Sequence, residues 1–162
     1  MNNLEEIKYK IYDFETIESC SELWKSEGLK LVFTNGCFDI LHRGHVEYLS
    51  KAKDLGDVLI VGLNTDKSVK MLKGSDRPIN DEDSRALILA SLSFVDVVVL
   101  FDEETPLNLI DAIKPDVLVK GGDYTAEEIV GYDIVKDSGG EIVIIDLVDG
   151  FSTTNIIKKA DI

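Results

Sequence analysis

The stretch NGCFDILHRGHVEYL, residues 35–49, follows directly on the apolar run LVFTN (31–35) and holds both histidines of the chain, His42 and His45. The apolar run predicts a strand, Asn35-Gly36 predicts a turn, and a helical pattern begins near Gly44. A strand, a turn and a helix in this order form the first half of a β-α-β unit. The segment therefore predicts an α/β fold with a ligand site at the turn.

Four further apolar runs predict strands of the same kind. They are continuous rather than alternating, which is typical of parallel strands covered on both faces. The runs are VLIVGLN (58–64), VDVVVLF (95–101), DVLVKG (116–121) and EIVIID (141–146). Helical patterns separate them, so we predict a Rossmann-like, doubly wound α/β sheet of about five parallel strands with flanking helices.

Helix starts and the leading segment complete the predicted organisation. Residues 1–28 are predicted as a leading strand and helix, and residues 29–162 as the core of the same single domain. Within the leading segment, Trp24 is expected to pack in the core. The predicted helix starts are Asn80 or Asp81, Thr105 followed by Pro106, and a capping box of Thr125 with Glu128.

Composition limits the classes of partner. A formal net charge of −14 opposes non-specific binding to nucleic acid or to an anionic membrane. The start of the sequence has no signal-peptide pattern, no run approaches the ~18 apolar residues of a membrane span, and two cysteines are too few for a secreted disulfide framework. We expect a cytoplasmic protein whose anionic ligands are held by a local positive site.

The turn after the first predicted strand has the features of a phosphate site. Neither G-x-G-x-x-G nor G-x-x-x-x-G-K-[ST] occurs, so the two common glycine-rich cradles are missing. Instead, the helix start near Gly44 offers free backbone N–H groups, and His42 and His45 lie on one side of its first turn. A metal site formed by Cys37 with the two histidines is a competing interpretation, but it lacks an evident fourth ligand. We therefore predict no metal ligands in the protein.

Two motifs resemble those of the HxGH nucleotidyltransferase superfamily. They are TNGCFDILHRGH (34–45) and GFSTTNIIKK (150–159), whose hydroxyl-rich helix start would face a triphosphate. With LKGSDRPIN (72–80) and KPDVLVKGGDY (114–124), the chain from Lys8 to Lys159 is similar to the D-glycero-β-D-manno-heptose 1-phosphate adenylyltransferases. Arg43 departs from the small residue that is common at its position in that family, and we expect it to face solvent or a phosphate.

The resemblance implies a reaction and its partners. Members of this family transfer AMP from ATP to heptose 1-phosphate, giving ADP-heptose and pyrophosphate for the lipopolysaccharide inner core. The implied cofactor is Mg²⁺, arriving with ATP, and the implied partners are a homo-oligomeric copy and a separate sugar kinase earlier in the pathway. Two alternatives stay open: a cytidylyltransferase acting on glycerol 3-phosphate or a related small phosphate, and a nucleotide-sensing module without turnover.

The predicted site residues come from the motifs and from the ends of the predicted strands. The catalytic set is His42, His45 and Lys73. The predicted nucleotide-binding set is Thr34, Asn35, Gly36, Phe38, Gly44, Lys120, Gly121, Asp123, Ser152, Thr153 and Thr154. The predicted substrate-binding set is Asp39, Asp66, Arg77 and Arg85.

Overall fold

The computed structural model describes residues 1–160, and its centre is one parallel sheet. In chain order the six strands are β1 Ile11–Tyr12, β2 Leu31–Gly36, β3 Val58–Asn64, β4 Val97–Phe101, β5 Val117–Gly121 and β6 Glu141–Ile145. Their order across the sheet is β1-β4-β3-β2-β5-β6. This confirms the predicted Rossmann-like α/β sheet and places its topological switch point between β2 and β5, where ligands of such folds bind.

The sheet contains one strand more than the five apolar runs predicted. β1 pairs with β4 through Ile11 opposite Val98 and Tyr12 opposite Val99. A strand of two residues shows no periodicity, so its place at the edge depends on pairing with a distant strand and not on a local pattern. The leading segment therefore contributes β1 to the same sheet as the core.

Eight α-helices and one short 3₁₀ helix (Ala126–Glu128) flank the strands in the described part of the chain. The α-helices are α1 Asn3–Lys8, α2 Phe14–Ser26, α3 Arg43–Lys53, α4 Asp66–Lys73, α5 Glu82–Ala90, α6 Leu107–Ile113, α7 Tyr132–Asp137 and α8 Thr153–Ala160. None of the helices within residues 1–160 has the length and apolar character needed to cross a bilayer.

One predicted helix start is confirmed and two are wrong. The Asp81 carboxylate accepts from the Ser84 backbone N–H at 2.8 Å and begins α5. Pro106, not Thr105, occupies the N-cap position of α6, where no side chain caps the helix. Thr125 begins only the 3₁₀ turn, and no capping box forms there, because the Glu128 backbone N–H donates to the Thr125 carbonyl and leaves the hydroxyl unused.

Two apolar clusters cover the two faces of the sheet. Consecutive strand residues alternate between them, so Val32 packs in one cluster and Phe33 in the other. This explains why the strand sequences are apolar without a break. Trp24 of α2 is partly buried against the second cluster, and its ring stacks on Tyr12 with 6.3 Å between the ring centroids.

Candidate active site

A cavity of about 620 Å³ opens over the carboxyl ends of β2 and β5, between the starts of α3 and α8. Most of the predicted site residues line it, including the two histidines, Lys73, Lys120 and the hydroxyls of the last motif. The predicted residues that do not line it are Thr34, Asp66, Arg85 and Asp123. The chain thus brings together the strand-to-helix turn and the last helix start, which lie more than a hundred residues apart in the sequence.

The two histidines form the first turn of α3. His42 is the N-cap, one residue before the helix, and its Nδ1 accepts from the His45 backbone N–H at 3.4 Å. In return, Nδ1 of His45 accepts from the His42 backbone N–H, also at 3.4 Å. The two rings stack with 3.7 Å between their centroids. The histidine pair is therefore a capping box in which imidazoles replace the usual hydroxyl and carboxylate.

Burial and the hydrogen bonds of the two rings determine their charge and the position of their protons. Burial lowers the pKa of His42, and burial together with the His42 ring lowers the pKa of His45 to about 4. Both rings are thus neutral near pH 7. Because each Nδ1 accepts a hydrogen bond, each proton resides on Nε2, which leaves two N–H donors for a ligand. The pair supplies hydrogen bonds to an anion and no net charge.

Two glycines of the first motif provide space for rings. A Cβ at Gly44 would lie 3.1 Å from Cε1 and Nδ1 of His42, and a Cβ at Gly36 would lie 2.9 Å from Cε2 of Phe38. Phe38 itself has a φ of 43°, a conformation that non-glycine residues seldom adopt. Its ring meets His45 edge to face with 5.1 Å between the centroids. A methyl group at either glycine would therefore push against the neighbouring aromatic ring.

Asp39 ties the turn after β2 to the loop that follows α4. Its carboxylate accepts from Arg77 Nε at 2.6 Å and from the backbone N–H groups of Ile79 and Asn80 at 2.9 Å. Burial by itself raises the pKa of Asp39, but the hydrogen bonds from Asn80, Ile79 and Arg77 outweigh burial and lower it below the ordinary value. Asp39 and Arg77 line the cavity, yet each is engaged with the other.

Arg85 and Asp66 form a second pair, which lies outside the cavity and corrects the expectation that they contact substrate. Arg85 is 1 % exposed, and its Nη2 donates to Asp66 Oδ1 at 2.8 Å. Its remaining bonds go to the carbonyls of Asn80, Cys37 and Asn64. Four of the guanidinium's five N–H donors are used by these three carbonyls and by Asp66, and the side chain is fully buried, so it presents no exposed edge to a phosphate.

Thr34 and Asp123 also lie outside the cavity, for different reasons. The Thr34 hydroxyl is fully buried and hydrogen-bonds the Tyr48 hydroxyl at 2.7 Å, which in turn donates to the Val119 carbonyl at 3.2 Å. Burial raises the pKa of Tyr48 to about 12, so this hydroxyl stays protonated. Asp123 is exposed, and the next residue, Tyr124, lines the cavity in its place.

Two lysines bring positive charge to the cavity. Lys120 Nζ donates to Asn35 Oδ1 across the gap between β5 and β2, and burial lowers its pKa to about 8. Lys73 ends α4, just before Gly74, and within residues 1–160 its ammonium makes no ion pair with a carboxylate. Since Arg77 is paired with Asp39, these two ammonium groups are the cavity cations that have no carboxylate partner in the part described.

The start of α8 forms another wall, and its hydroxyls have different partners. Ser152 Oγ accepts from the Asn155 backbone N–H at 3.0 Å, so it caps the helix, and Thr153 Oγ1 donates to the Ile40 carbonyl at 3.3 Å. Arg43 points to the solvent side, pairs with Glu47 at 2.5 Å, and covers the Phe151 ring at 5.5 Å. Thr154 is left facing the cavity with no side-chain bond in residues 1–160.

Sequence reasoning missed an apolar wall of the cavity. Its members are Leu72, Tyr124, Leu147, Val148 and Phe151. Several are exposed in the free protein, and Leu147 is 62 % exposed. An exposed apolar residue has no periodic signature, but the aromatic residues next to the KGGD and STT segments were a usable signal.

Metal ligation by the described residues has little support. Residues 1–160 contain no group of three or more His, Cys, Asp or Glu side chains placed to hold a metal ion. Both histidine Nδ1 atoms accept from the main chain, and Cys37 Sγ is directed at Asn64 Oδ1, 3.9 Å away. The Asp39 carboxylate, which lines the cavity, is already bound to Arg77.

Comparisons with known proteins agree with this geometry. The Cytidylyltransferase-like family matches residues 33–159. The chain is 60 % identical over 149 residues to the bifunctional protein HldE of Campylobacter concisus (strain 13826), covering 91 % of this chain and 31 % of that protein. It is 57 % identical over 150 residues to the bifunctional protein HldE of Geobacter metallireducens, covering 93 % and 31 %. The chain thus spans about a third of the length of these relatives.

Solved structures give the same picture. The lipopolysaccharide core biosynthesis protein of Thermoplasma volcanium GSS1 superposes with a TM-score of 0.59 at 31 % identity, covering 75 % of this chain and 98 % of that one. A pantoate-beta-alanine ligase of Francisella tularensis has a TM-score of 0.62 at 18 % identity, covering 93 % and 76 %, and shares the fold alone. From the family match over residues 33–159 and the site built on its two motifs, this chain belongs to the cytidylyltransferase-like family.

Proposed function

We propose that the chain is a nucleotidyltransferase that transfers AMP from ATP to D-glycero-β-D-manno-heptose 1-phosphate, giving ADP-heptose and pyrophosphate. The observation that carries the proposal is the neutral histidine pair with two Nε2–H donors on a cavity that also holds two ammonium groups, neither of which has a carboxylate partner within residues 1–160. Identity of 60 % to a bifunctional HldE protein and the family match support the same reaction class. The resemblance of the LKGSDRPIN and KPDVLVKGGDY segments supports the heptose acceptor.

The chemistry is a single in-line displacement. An oxygen of the sugar 1-phosphate attacks the α-phosphorus of ATP, the bond to the bridging oxygen breaks, and pyrophosphate leaves with the bonding electrons. A phosphate monoester has a second pKa near ~6, so no side chain needs to take a proton from the nucleophile. The catalytic requirement is fixed donors and positive charge around the reacting phosphorus.

Each part of the cavity has a proposed task. Nε2–H of His42 and His45 donates to phosphoryl oxygens, and Lys73 and Lys120 supply charge. The proposed remaining nucleotide contacts are Asn35, Gly36, Phe38, Gly44, Gly121, Ser152, Thr153 and Thr154. Because the hydroxyls of Ser152 and Thr153 already have partners, we assign the phosphate contacts of α8 to its backbone N–H groups and to Thr154.

Magnesium enters as part of the ATP substrate in this proposal. The cavity carboxylates do not offer a protein cage, because Asp39 is already bound by Arg77 and by two backbone N–H groups. Mg²⁺ is commonly held through phosphate oxygens and water, and there it neutralises charge on the leaving pyrophosphate.

The proposed substrates imply a preceding enzyme and a cellular compartment for the reaction. A heptose that carries a phosphate on its first carbon must come from a sugar kinase that acts earlier, and we propose that this kinase activity and the present reaction share the cytoplasm, where ATP is available. We further propose that the chain works as a homo-oligomer. Light scattering of the purified protein at several concentrations tests that point, and a mass equal to one chain throughout would refute it.

A pyrophosphate-release assay tests the function. The protein is mixed with ATP or CTP and with heptose 1-phosphate or glycerol 3-phosphate, and we expect release only with ATP and the heptose ester. Release with CTP and glycerol 3-phosphate would establish the cytidylyltransferase alternative instead. ATP binding without release for any acceptor would establish a sensor. His45→Ala is the matched control for contaminating activity.

A further inference from the structure

We propose that Lys120 is a catalytic residue that contacts the transferred phosphoryl group from the sheet side of the cavity, and not only an anchor for the nucleotide. The inference rests on the proposed function and deepens it. Among the residues predicted to be catalytic, the charge was assigned to Lys73 alone. Its position, its charge and its rigidity favour Lys120 as the cation that stabilises the transition state.

The position of Lys120 follows from the register of the sheet. β2 and β5 pair with Val32 opposite Val117 and Phe33 opposite Leu118. Continuing this register places Asn35 beside Lys120 at the carboxyl ends of the two strands, at the switch point. The Lys120 ammonium donates to Asn35 Oδ1, and both residues line the cavity that the histidine pair faces.

The charge of Lys120 has no counter-ion in the described part of the chain. Arg77 and Arg85 pair with Asp39 and Asp66, whereas no carboxylate of residues 1–160 forms an ion pair with Lys120. Its hydrogen-bond partner is a neutral amide. Burying a charge without a partner is unfavourable, which is why burial lowers the pKa of this ammonium to about 8. A bound phosphate would supply the missing negative charge.

Rigidity separates Lys120 from Lys73. Lys73 is exposed, it is the last residue of α4, and it precedes Gly74, which has a φ of 97°. Lys120 lies on a strand, partly buried, with its ammonium held by Asn35. The histidine donors are neutral, so preorganised positive charge at the site must come from a cation that is held in place, as Lys120 is. Such a cation favours the transition state, where charge moves onto the phosphoryl oxygens and the leaving group.

The pH dependence expected of Lys120 can be told apart from that of its neighbours. The other titratable side chains that line the cavity come from four places. They are Cys37 and Asp39 in the turn after β2, His42, His45 and Tyr48 at the N-cap and in the first half of α3, Lys73 and Arg77 at and after the end of α4, and Tyr124 after β5. The histidines titrate below neutral pH and Tyr48 at about 12. Burial raises the pKa of the Cys37 thiol above its ordinary value, so an effect of this group is separated by the variant Cys37→Ser.

The test compares two variants. Lys120→Met has a side chain of similar length without the charge, and Lys120→Arg keeps the charge. Lys136→Met, on the exposed side of α7, is the control. We expect kcat of Lys120→Met to fall ~10²- to 10³-fold, as for loss of a transition-state donor, with a KM for ATP within about threefold of wild type. Lys120→Arg should recover most of kcat, and thermal unfolding should show all three variants folded.

A pH profile supplies the second measurement. An ammonium is active below its pKa, so kcat/KM of the wild type should fall as the pH rises through about 8. The fall should be absent in Lys120→Met, shifted to higher pH in Lys120→Arg and unchanged in Cys37→Ser. A raised KM for ATP with unchanged kcat in Lys120→Met would overturn the proposal and show that Lys120 only anchors the nucleotide. Wild-type protein that turns over no acceptor would instead refute the proposed function.

Discussion

Replacing Arg85 with methionine tests the buried frame beneath the active site. Arg85 makes four hydrogen bonds that join the ends of β2 and β3 to the starts of α4 and α5. Methionine fills a similar volume, but it leaves the carbonyls of Cys37 and Asn64 without their donor and Asp66 without its cation. Breaking one side of a buried ion pair costs ~3–5 kcal/mol.

Arg43 offers a control of the same residue type. Its ion pair with Glu47 is shorter, 2.5 Å against 2.8 Å for Arg85 with Asp66, but its side chain is 68 % exposed whereas that of Arg85 is 0 % exposed. Exposed pairs on a helix contribute only ~0.3–0.5 kcal/mol. If burial and hydrogen bonding determine the effect, Arg43→Met should hardly change stability while Arg85→Met should remove a large part of it.

Equilibrium unfolding in urea, followed by the fluorescence of Trp24, measures both variants. With a slope of ~2 kcal/mol per M, the loss expected for Arg85→Met lowers the midpoint by roughly 1.5–2.5 M. The Arg85→Met, Asp66→Asn double variant should lose less than the sum of the single variants, because the two side chains interact. A loss below ~1 kcal/mol in Arg85→Met, or equal losses at both arginines, would refute the reasoning.

Three further predictions concern the site. His45→Ala should fold and lose ~10²- to 10³-fold in kcat, measured by pyrophosphate release; full turnover would exclude its Nε2–H as a donor in the transition state. Because the pKa of Asp39 is lowered in the folded protein, the ionised carboxylate stabilises the fold above the unfolded-state pKa of about 3.8. This stabilisation is lost as the pH falls through the lowered pKa. Asp39→Asn should therefore weaken the pH dependence of the urea midpoint at the acid end of a series from pH 2 to 7. An acid limb with unchanged slope would contradict that role. Gly44→Ala puts a Cβ 3.1 Å from the His42 ring, so kcat should fall with little change in the unfolding temperature; wild-type kcat would show that the ring has room to move.

Much of the fold was predictable because it is encoded by contiguous residues. Continuous apolar runs predicted the strands from β2 to β6 within one or two residues of their ends, since strands covered on both faces must be apolar throughout. The Asn35-Gly36 turn and the closely spaced histidines predicted the start of α3. A strand was predicted in the leading segment, but its bounds and its partner were not, because a two-residue strand exists only through its pairing with β4.

The sequence by itself determined the α/β class and the turn at which we propose that phosphate binds, because strand, turn and helix capping depend on neighbours a few residues apart. Only the tertiary structure decided which charged side chains face the cavity. Arg77 meets Asp39 across 38 residues and Arg85 meets Cys37 across 48, whereas the partner of Lys120 in the described part of the chain is a neutral amide across 85. A buried cation is satisfied by whatever the fold brings to it, so its availability to a ligand depends on long-range contacts that no local pattern contains.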